Sequence, residues 1–522
     1  MITLRSYVLD QWHTGTGDPA VLVNATTEEA IAQCNSEGID FQAVLNHARQ
    51  KGGPALRAMS FAERGKLLKG MSAALQEHRE ELIDLSIQNA GSTRGDAKFD
   101  IDGATGTLAA YAYFAKQLSG GEYLVDGEGV QLGRTARFWG EHLRVPRLGA
   151  AVHINAFNFP AWGQMEKVAC AFLAGVPVIE KPGTATALVA WRTAEILVES
   201  GLLPEGSFQF ICGSTGDLLD RLEAQDCMAF TGSSGTGAKL KGNSNVVQRN
   251  VRVNIEADSL NAAVLGPDTD PDSESYDLFL QNVALDMTQK TGQKCTAVRR
   301  ILVPADRVDE VAEDLIATLQ RTRVGDPSDS KNRMGPLSSA AQFRDVQEGI
   351  RRLQEHADTL CGGPEPIAEK GFFVAATLLK ARDSSHPLFH SDEVFGPVAT
   401  LLPYDGSAEE AIRLANLGGG GLVASLYSND SAWCREVILG IGPWHGRVWV
   451  GSDRMASQSL PPGMVLPAMI HGGPGRAGGG EELGALRGLE FYMQRVAVQG
   501  FRGNLKAAFP AHAAEETAAS SS

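Results

Sequence analysis

Apolar residues return at helical spacing between Phe61 and Leu85, at Leu67, Leu68, Met71, Ala74, Leu75, Leu82 and Leu85, with charges between them. That period predicts one amphipathic helix. Further on, the apolar run AAVHINAFNF (150–159) precedes a helical stretch, VPVIEKP (176–182) follows it, a second helix ends near Gly201, and FQFIC (208–212) is a further strand. Strand alternating with helix predicts a parallel, doubly wound sheet. Ser214 with Asp217 reads as a variant capping box opening another helix, and CMAF (227–230) as a short strand before the turn TGSSGTG. A second α/β run, from about Asn261 to Leu466, predicts helices at 275–291, 307–322 and 340–356 and strands near 300–304 and 398–403. It reads as a separate unit.

Two segments fall outside this alternation. VQLGRTARFWGEHLRVP (130–146) and FYMQRVAVQGF (491–501) roughly alternate and are rich in β-branched and aromatic residues, so they are expected to pair as an antiparallel extension. An exposed edge there implies a homodimer or dimer-based oligomer, with the 491–501 strand extending a partner's sheet. The tail PAHAAEETAASSS (510–522) is small and polar and is expected to fray.

Composition narrows the function classes. A chain of 522 residues, 43% of them apolar, can bury large cores and is expected to divide into two or three globular parts. A formal charge of −15, spread along the length, argues against a basic face for nucleic acid. The 7 cysteines are scattered with no CxxC pair, which suggests neither a disulfide framework nor a zinc site and points to a reduced, cytoplasmic setting. MITLRSYVLDQWHTG lacks the apolar core of a signal peptide. The most apolar stretch, Val168 to Ile179, is well short of the roughly 20 residues a membrane span needs.

Several short motifs carry chemistry, each ambiguous alone. TGQKCTA (291–297) places Cys295 after a helix among small or polar residues, where a thiol can be accessible and ionisable; a lone Cys in a large protein more often reads as a buried small hydrophobe. VNIEADSLN (253–261) sets Glu256 at the end of a β-like run, partly desolvated, as a base or an ordinary paired carboxylate. FNFP (157–160) holds Asn158 between two aromatics, either an oxyanion donor or a turn residue before Pro. FTGSSGTG (230–237) offers backbone N–H groups and Ser233 to a pyrophosphate without being the GxGxxG fingerprint. Lys181 follows a buried strand and reads as a cation for ribose or phosphate, or as a solvated lysine. HGGPGRAGGGEELG (471–484) lacks the GK[ST] of a P-loop, so its glycines are read as letting the backbone bend closely around a site.

Taken in order, FNFP, Lys181, FTGS, Glu256, GQKC and EVFGPV (393–398) resemble the aldehyde dehydrogenase superfamily over nearly the full length. The resemblance implies an α/β fold with a Rossmann-like parallel-sheet cofactor domain (1–128 and 147–260), an α/β catalytic domain (261–484), antiparallel β oligomerisation segments (129–146 and 485–509) and a flexible tail (510–522). It implies Cys295 as nucleophile, Glu256 as general base and Asn158 as oxyanion donor beside the Cys295 backbone N–H. Lys181 and Glu393 would contact ribose hydroxyls, Ser233 with Gly232 the pyrophosphate, and Phe395 the nicotinamide. Glu256 favours hydrolysis of the thioacyl enzyme, since relatives that transfer the acyl group to coenzyme A typically lack it. NAD-preferring relatives often carry a Glu where this chain has Thr184, so NADP is expected, with NAD use left open.

AFNFP, EADSLN and the long glycine-rich loop depart from most of the family and resemble a narrower branch, the CoA-linked semialdehyde dehydrogenases of aerobic phenylacetate and benzoate degradation. That likeness implies a ring-opened semialdehyde still attached to coenzyme A as substrate. Glu166 and Glu481 or Glu482 are candidates to relay protons from the substrate channel, or are surface carboxylates. The chain ends soon after the glycine-rich loop, so a C-terminal hydratase domain, as in the bifunctional member, is not expected. Two alternatives remain: an aliphatic or aromatic aldehyde dehydrogenase without CoA preference, and a cysteine-dependent thioesterase.

Overall fold

Val178–Lys181 pairs in parallel with Ala151–Ile154 on one side and Phe208–Phe210 on the other, while Cys227–Thr231 and Arg252–Glu256 continue the sheet beyond Ala151–Ile154. Antiparallel Ser6–Val8 and Gln11–His13 complete seven strands. Ala151–Ile154 and Phe208–Phe210 are buried at every position, as expected of strands covered on both faces. The structure is a computed structural model describing residues 1–118, 120 and 122–510, so the tail expected to fray falls, from 511 on, outside the described residues. Strand order reverses at Ala151–Ile154, and ligands of such sheets settle in the crevice at that point, beyond the strands' carboxyl ends.

A second seven-stranded sheet is parallel except for its edge pair Ala357–Cys361 and Thr377–Ala381, and its centre is Val398–Tyr404, Arg300–Pro304, Ala262–Leu265 and Gly421–Tyr427. Helices Glu274–Thr288, Val308–Gln320 and Ala340–Gln354 stand close to where the periodicity predicts them. Phe138–Pro146 and Met493–Phe501 pair antiparallel along their whole length, from Pro146 opposite Met493 to Phe138 opposite Phe501. Leu124–Val125 and Val130–Gln131 also pair with Phe138–Pro146. No helix among the described residues is long and apolar enough to cross a membrane.

Two local expectations fail. The helix from Phe61 stops at Glu77, and a new one, Arg79–Ala90, starts after His78, whose ψ of 14° breaks the ladder. The restart buries Leu82 and Ile83 rather than Leu85. Ser214 caps no α-helix: its hydroxyl accepts from Gly216 N at 3.1 Å, Asp217 pairs with Arg221 at 2.6 Å, and only a 3₁₀ turn, Leu218–Arg221, follows. The short Asp carboxylate is taken by a basic partner and closes no box.

The helix Trp162–Ala174, which leads away from Asn158, has no capping side chain of its own. Asp100, on the neighbouring helix Arg94–Phe114, accepts from Trp162 N at 2.8 Å and Ala161 N at 3.3 Å instead. A cap supplied across the core satisfies orphan N–H groups and fixes the helix's position at once. Asp100→Ala is expected to lower stability by about 1–2 kcal/mol, read as a lower urea midpoint at unchanged m-value.

Candidate active site

The loop that carries Cys295 is strained. After the helix ends at Thr288, Lys290 (φ 52°), Thr291 (φ 56°) and Gly292 (φ 68°) all lie in the left-handed region. Conformations of this kind cost about 1–3 kcal/mol at each non-glycine residue and persist only when the surroundings enforce them. Here Thr291 Oγ1 donates to Gly335 O at 3.0 Å, and Arg299 donates to Gly292 O at 2.8 Å and Gly396 O at 2.7 Å. A Cβ on Gly292 would stand 2.2 Å from Gly396 O, so this position admits only glycine. Buried Asn261 donates to Cys295 O at 2.7 Å and Ala297 O at 2.8 Å, and its own oxygen accepts from Ser259 Oγ and Val423 N. Asn261 thereby ties the Cys295 backbone to the central strands of the second sheet.

Glu256 ends the edge strand of the first sheet, and Asn158 follows its switch-point strand. Both line one cavity with Cys295, Glu166, Gly463, Val465 and His471. Phe99, Phe159 and Trp162 wall it as three mutually edge-on rings with centroids 5.3–5.7 Å apart. Among the described residues the Asn158 side chain has no hydrogen-bond partner, which leaves its amide as a donor for an oxygen in the cavity.

His471 was not singled out by sequence. Its Nε2 lies 3.1 Å from Glu256 Oε1 and 3.8 Å from Cys295 Sγ. The only signal it carries is a His flanking glycines. Those glycines put it there: Gly478 and Gly480 lie so close to Ile255 O that a Cβ would stand at 2.4 and 2.5 Å, and Ala257 N donates to Ala477 O at 2.9 Å. The loop returns as the antiparallel pair Ile470–Gly473 and Gly480–Leu483, with His471 directly opposite Glu482. Cross-strand neighbours share a face, so both turn toward Glu256. Glu481, the other relay candidate, is corrected: adjacent strand residues point to opposite faces, and Glu481 is exposed.

Burial works against the Glu256 carboxylate, yet the charge and hydrogen bond of His471, helped by Lys167, bring it down to about 2. Burial lowers His471, but Glu256 and then Glu166 outweigh it and raise it. The Cys295 thiol is pushed well up by burial and by the charges of Glu256, Glu166 and Glu393. Glu166, buried beside Glu482 and Glu256, rises to about 7 despite Lys167. Lys167, also missed in the sequence, bridges Glu166 at 3.2 Å and Glu482 at 3.1 Å, and Asn254 donates to Glu482 at 3.1 Å.

The remaining candidates lie around an adjoining region. Lys181 and Thr184 line an open cleft with Ser36, Gly213 and Thr236. Ser233 caps the helix Ser234–Lys241, and Gly232 N donates to Glu256 O at 3.1 Å, which couples this turn to Glu256. Glu393 accepts from Ser259 N at 3.1 Å, and burial, followed by Asp258 and resisted by Arg299, raises it to about 7. Phe395 meets Phe157 edge-on at 5.9 Å and carries Arg299 over its ring at 5.4 Å. Asn261→Ala would leave buried carbonyls without donors, so a loss of about 2–3 kcal/mol in urea unfolding is expected, together with a fall of at least roughly tenfold in turnover as Cys295 shifts.

Comparison with known proteins follows the same outline. Residues 12–498 match the pattern of the aldehyde dehydrogenase family. The chain is 44% identical over 480 residues to 3,4-dehydroadipyl-CoA semialdehyde dehydrogenase of Aromatoleum evansii, spanning 90% of this chain and 93% of that one. It is 29% identical over 458 residues to betaine aldehyde dehydrogenase of Vibrio vulnificus (strain CMCP6), spanning 86% and 89%. Lactaldehyde dehydrogenase from Escherichia coli superposes with a TM-score of 0.83 at 24% identity, over 95% of this chain and 99% of that one, which speaks to the fold. Since the family pattern runs through both seven-stranded sheets and the extension strand after the glycine-rich loop, the chain belongs to the aldehyde dehydrogenase family and is an NAD(P)-dependent enzyme.

Proposed function

We propose that this enzyme oxidises a ring-opened semialdehyde, carried as a coenzyme A thioester, to the free acid with NADP. One observation carries the chemistry: Cys295, Glu256 and Asn158, from three distant parts of the chain, line a single cavity. The substrate class is supported by the 44% identity to a dehydrogenase whose name specifies a CoA-linked semialdehyde.

In this reading Cys295 Sγ attacks the aldehyde carbon, its thiol proton leaving through Glu256. The carbonyl electron pair moves onto oxygen, held by the Asn158 amide and the Cys295 backbone N–H. When bound, the nicotinamide supplies the acceptor for the hydride that leaves this carbon. Glu256 then takes a proton from the water that attacks the resulting thioester, and Cys295 leaves as thiolate. Glu166, Glu256 and Glu482 have carboxylate oxygens within 4.8 Å of one another, and Lys167 bridges two of them, so the proton can pass onward.

The cleft at Lys181 fits the nucleotide. It holds about 740 Å³, within the range of cofactor sites. Lys181 lines this cleft, and burial disfavours its charge, so an anionic group beside it would be stabilised. Thr184 adds a hydroxyl and no negative charge; the carboxylates of Asp18 and Glu37 stand on the exposed rim. A 2′-phosphate therefore meets a cation and is not repelled by residue 184. Assembly belongs to the same reading: Met493–Phe501 is an edge strand with Val496 and Phe501 exposed, suited to extending a partner's sheet in a homodimer.

With a CoA-linked semialdehyde, NADP is expected to be reduced and the CoA moiety to lower KM relative to the free aldehyde; equal KM values would favour a dehydrogenase without CoA preference. Cys295→Ala should be inert in the same assay, and hydrolysis of an activated thioester with neither nucleotide reduced would instead show a hydrolase. Thr184→Glu is expected to shift the NADP to NAD ratio of kcat/KM toward NAD by at least about tenfold. Glu166 accepts a proton only when ionised, so turnover limited by deacylation should rise as pH passes about 7, and Glu166→Gln should remove that rise.

A further inference from the structure

His471, Cys295 and Glu256 place an imidazole nitrogen, a thiol sulfur and a carboxylate oxygen within 4.8 Å of one another. Two gaps are 3.1 Å, nitrogen to oxygen, and 3.8 Å, nitrogen to sulfur. A tetrahedral Zn²⁺ with its usual bond lengths sets these pairs about 3.4 and about 3.6 Å apart. Each gap thus needs to change by only a few tenths of an ångström. Charge also closes, because a thiolate and a carboxylate neutralise the ion and leave no net charge in a buried place. Imidazole with thiolate suits zinc, whereas Mg²⁺ and Ca²⁺ take oxygen ligands. The neighbouring group of Glu166, Glu256 and Glu482 does not compete, since the Lys167 ammonium already bridges two of its members. Three protein ligands leave a fourth position facing the cavity, open to water.

We propose that Zn²⁺ binds Cys295, His471 and Glu256 and reversibly switches the enzyme off. The Cys295 S–H and the His471 Nε2–H give up their protons to solvent, zinc accepts the freed electron pairs together with one from Glu256, and no atom is oxidised or reduced. Nucleophile and base are then both held by the metal, so neither attack on the aldehyde nor deacylation can proceed. The inference rests on the proposed dehydrogenase activity only for its activity readout, and metal binding is read separately.

The test uses the full-length enzyme, treated with chelator and titrated with ZnCl₂. Three quantities are followed: NADPH formation, alkylation of Cys295 by iodoacetamide located by peptide mass, and, with Co²⁺ in place of Zn²⁺, the thiolate-to-cobalt charge-transfer absorption. Zinc is expected to stop turnover and protect Cys295 over the same concentrations, EDTA to restore both, and MgCl₂ to do neither. His471→Phe, and His471→Gln as a variant closer in polarity, should raise the zinc needed for half protection by at least about tenfold, the least expected when a group supporting a metal site is lost. The proposal is overturned if both variants are protected at the wild-type zinc concentration, or if the cobalt band persists in Cys295→Ser, which would place the metal on other thiols. Should no NADPH form even without metal, the dehydrogenase assignment fails while alkylation and the cobalt band still decide the zinc site.

Discussion

The active centre depends on a backbone contact. The glycine-rich loop lies against the strand that ends in Glu256 so closely that a Cβ at Gly478 or Gly480 would fall within 2.5 Å of Ile255 O. Elsewhere on the loop Gly473 stands so near Gly421 O that a Cβ would lie 2.3 Å away, and the same holds at 1.7 Å for Gly446 against Gly472 O. These contacts join the first sheet to the second without intervening side chains. Because the join is backbone on backbone, it fixes His471 and Glu482 relative to Glu256 more tightly than packed side chains would.

Cys295 is placed by a second device with its own cost. Lys290 and Thr291 adopt left-handed backbone that together costs a few kcal/mol. Thr291, Arg299 and Asn261 offset this with hydrogen bonds to buried carbonyls, each of which would be expensive to leave unmade. The loop is thus held on three sides, as a reacting atom must be if small displacements are to matter.

Electrostatics in the cavity pull in different directions, and the balance of cations and carboxylates around each group decides between them. Glu256 and Glu166 are both buried carboxylates, yet the former falls to about 2 and the latter rises to about 7. Glu256 has His471 at 3.1 Å, whereas Glu166 shares Lys167 with Glu482 and feels two carboxylates besides. Environments that push neighbouring carboxylates apart in this way allow one to stay ionised beside the reacting centre while the other exchanges protons near neutrality.

Much of this architecture was legible in the chain. Buried strands such as Ala151–Ile154 and Val178–Lys181 are short apolar runs, and period-3.6 helices such as Ala340–Gln354 announce themselves because core burial imposes the pattern. Cys295, Glu256 and Asn158 were legible through motifs whose order resembles a family, since each sits at an element's end where local sequence is constrained. The break at His78 was not legible, because the apolar period continues through it. Nor was the choice of Glu482 over Glu481, which depends on strand register, or the approach of His471 to residues 176 and 215 positions earlier in the chain. Spacing along the sequence carries no trace of such a cluster, and the same reason hid its zinc-like donor set behind scattered cysteines. The sequence by itself determined most of the elements, the fold class and the candidates Cys295, Glu256 and Asn158, because periodicity and local motif encode these. Tertiary structure alone decided which charges meet in the cavity, because that follows from backbone contacts between segments far apart in the chain.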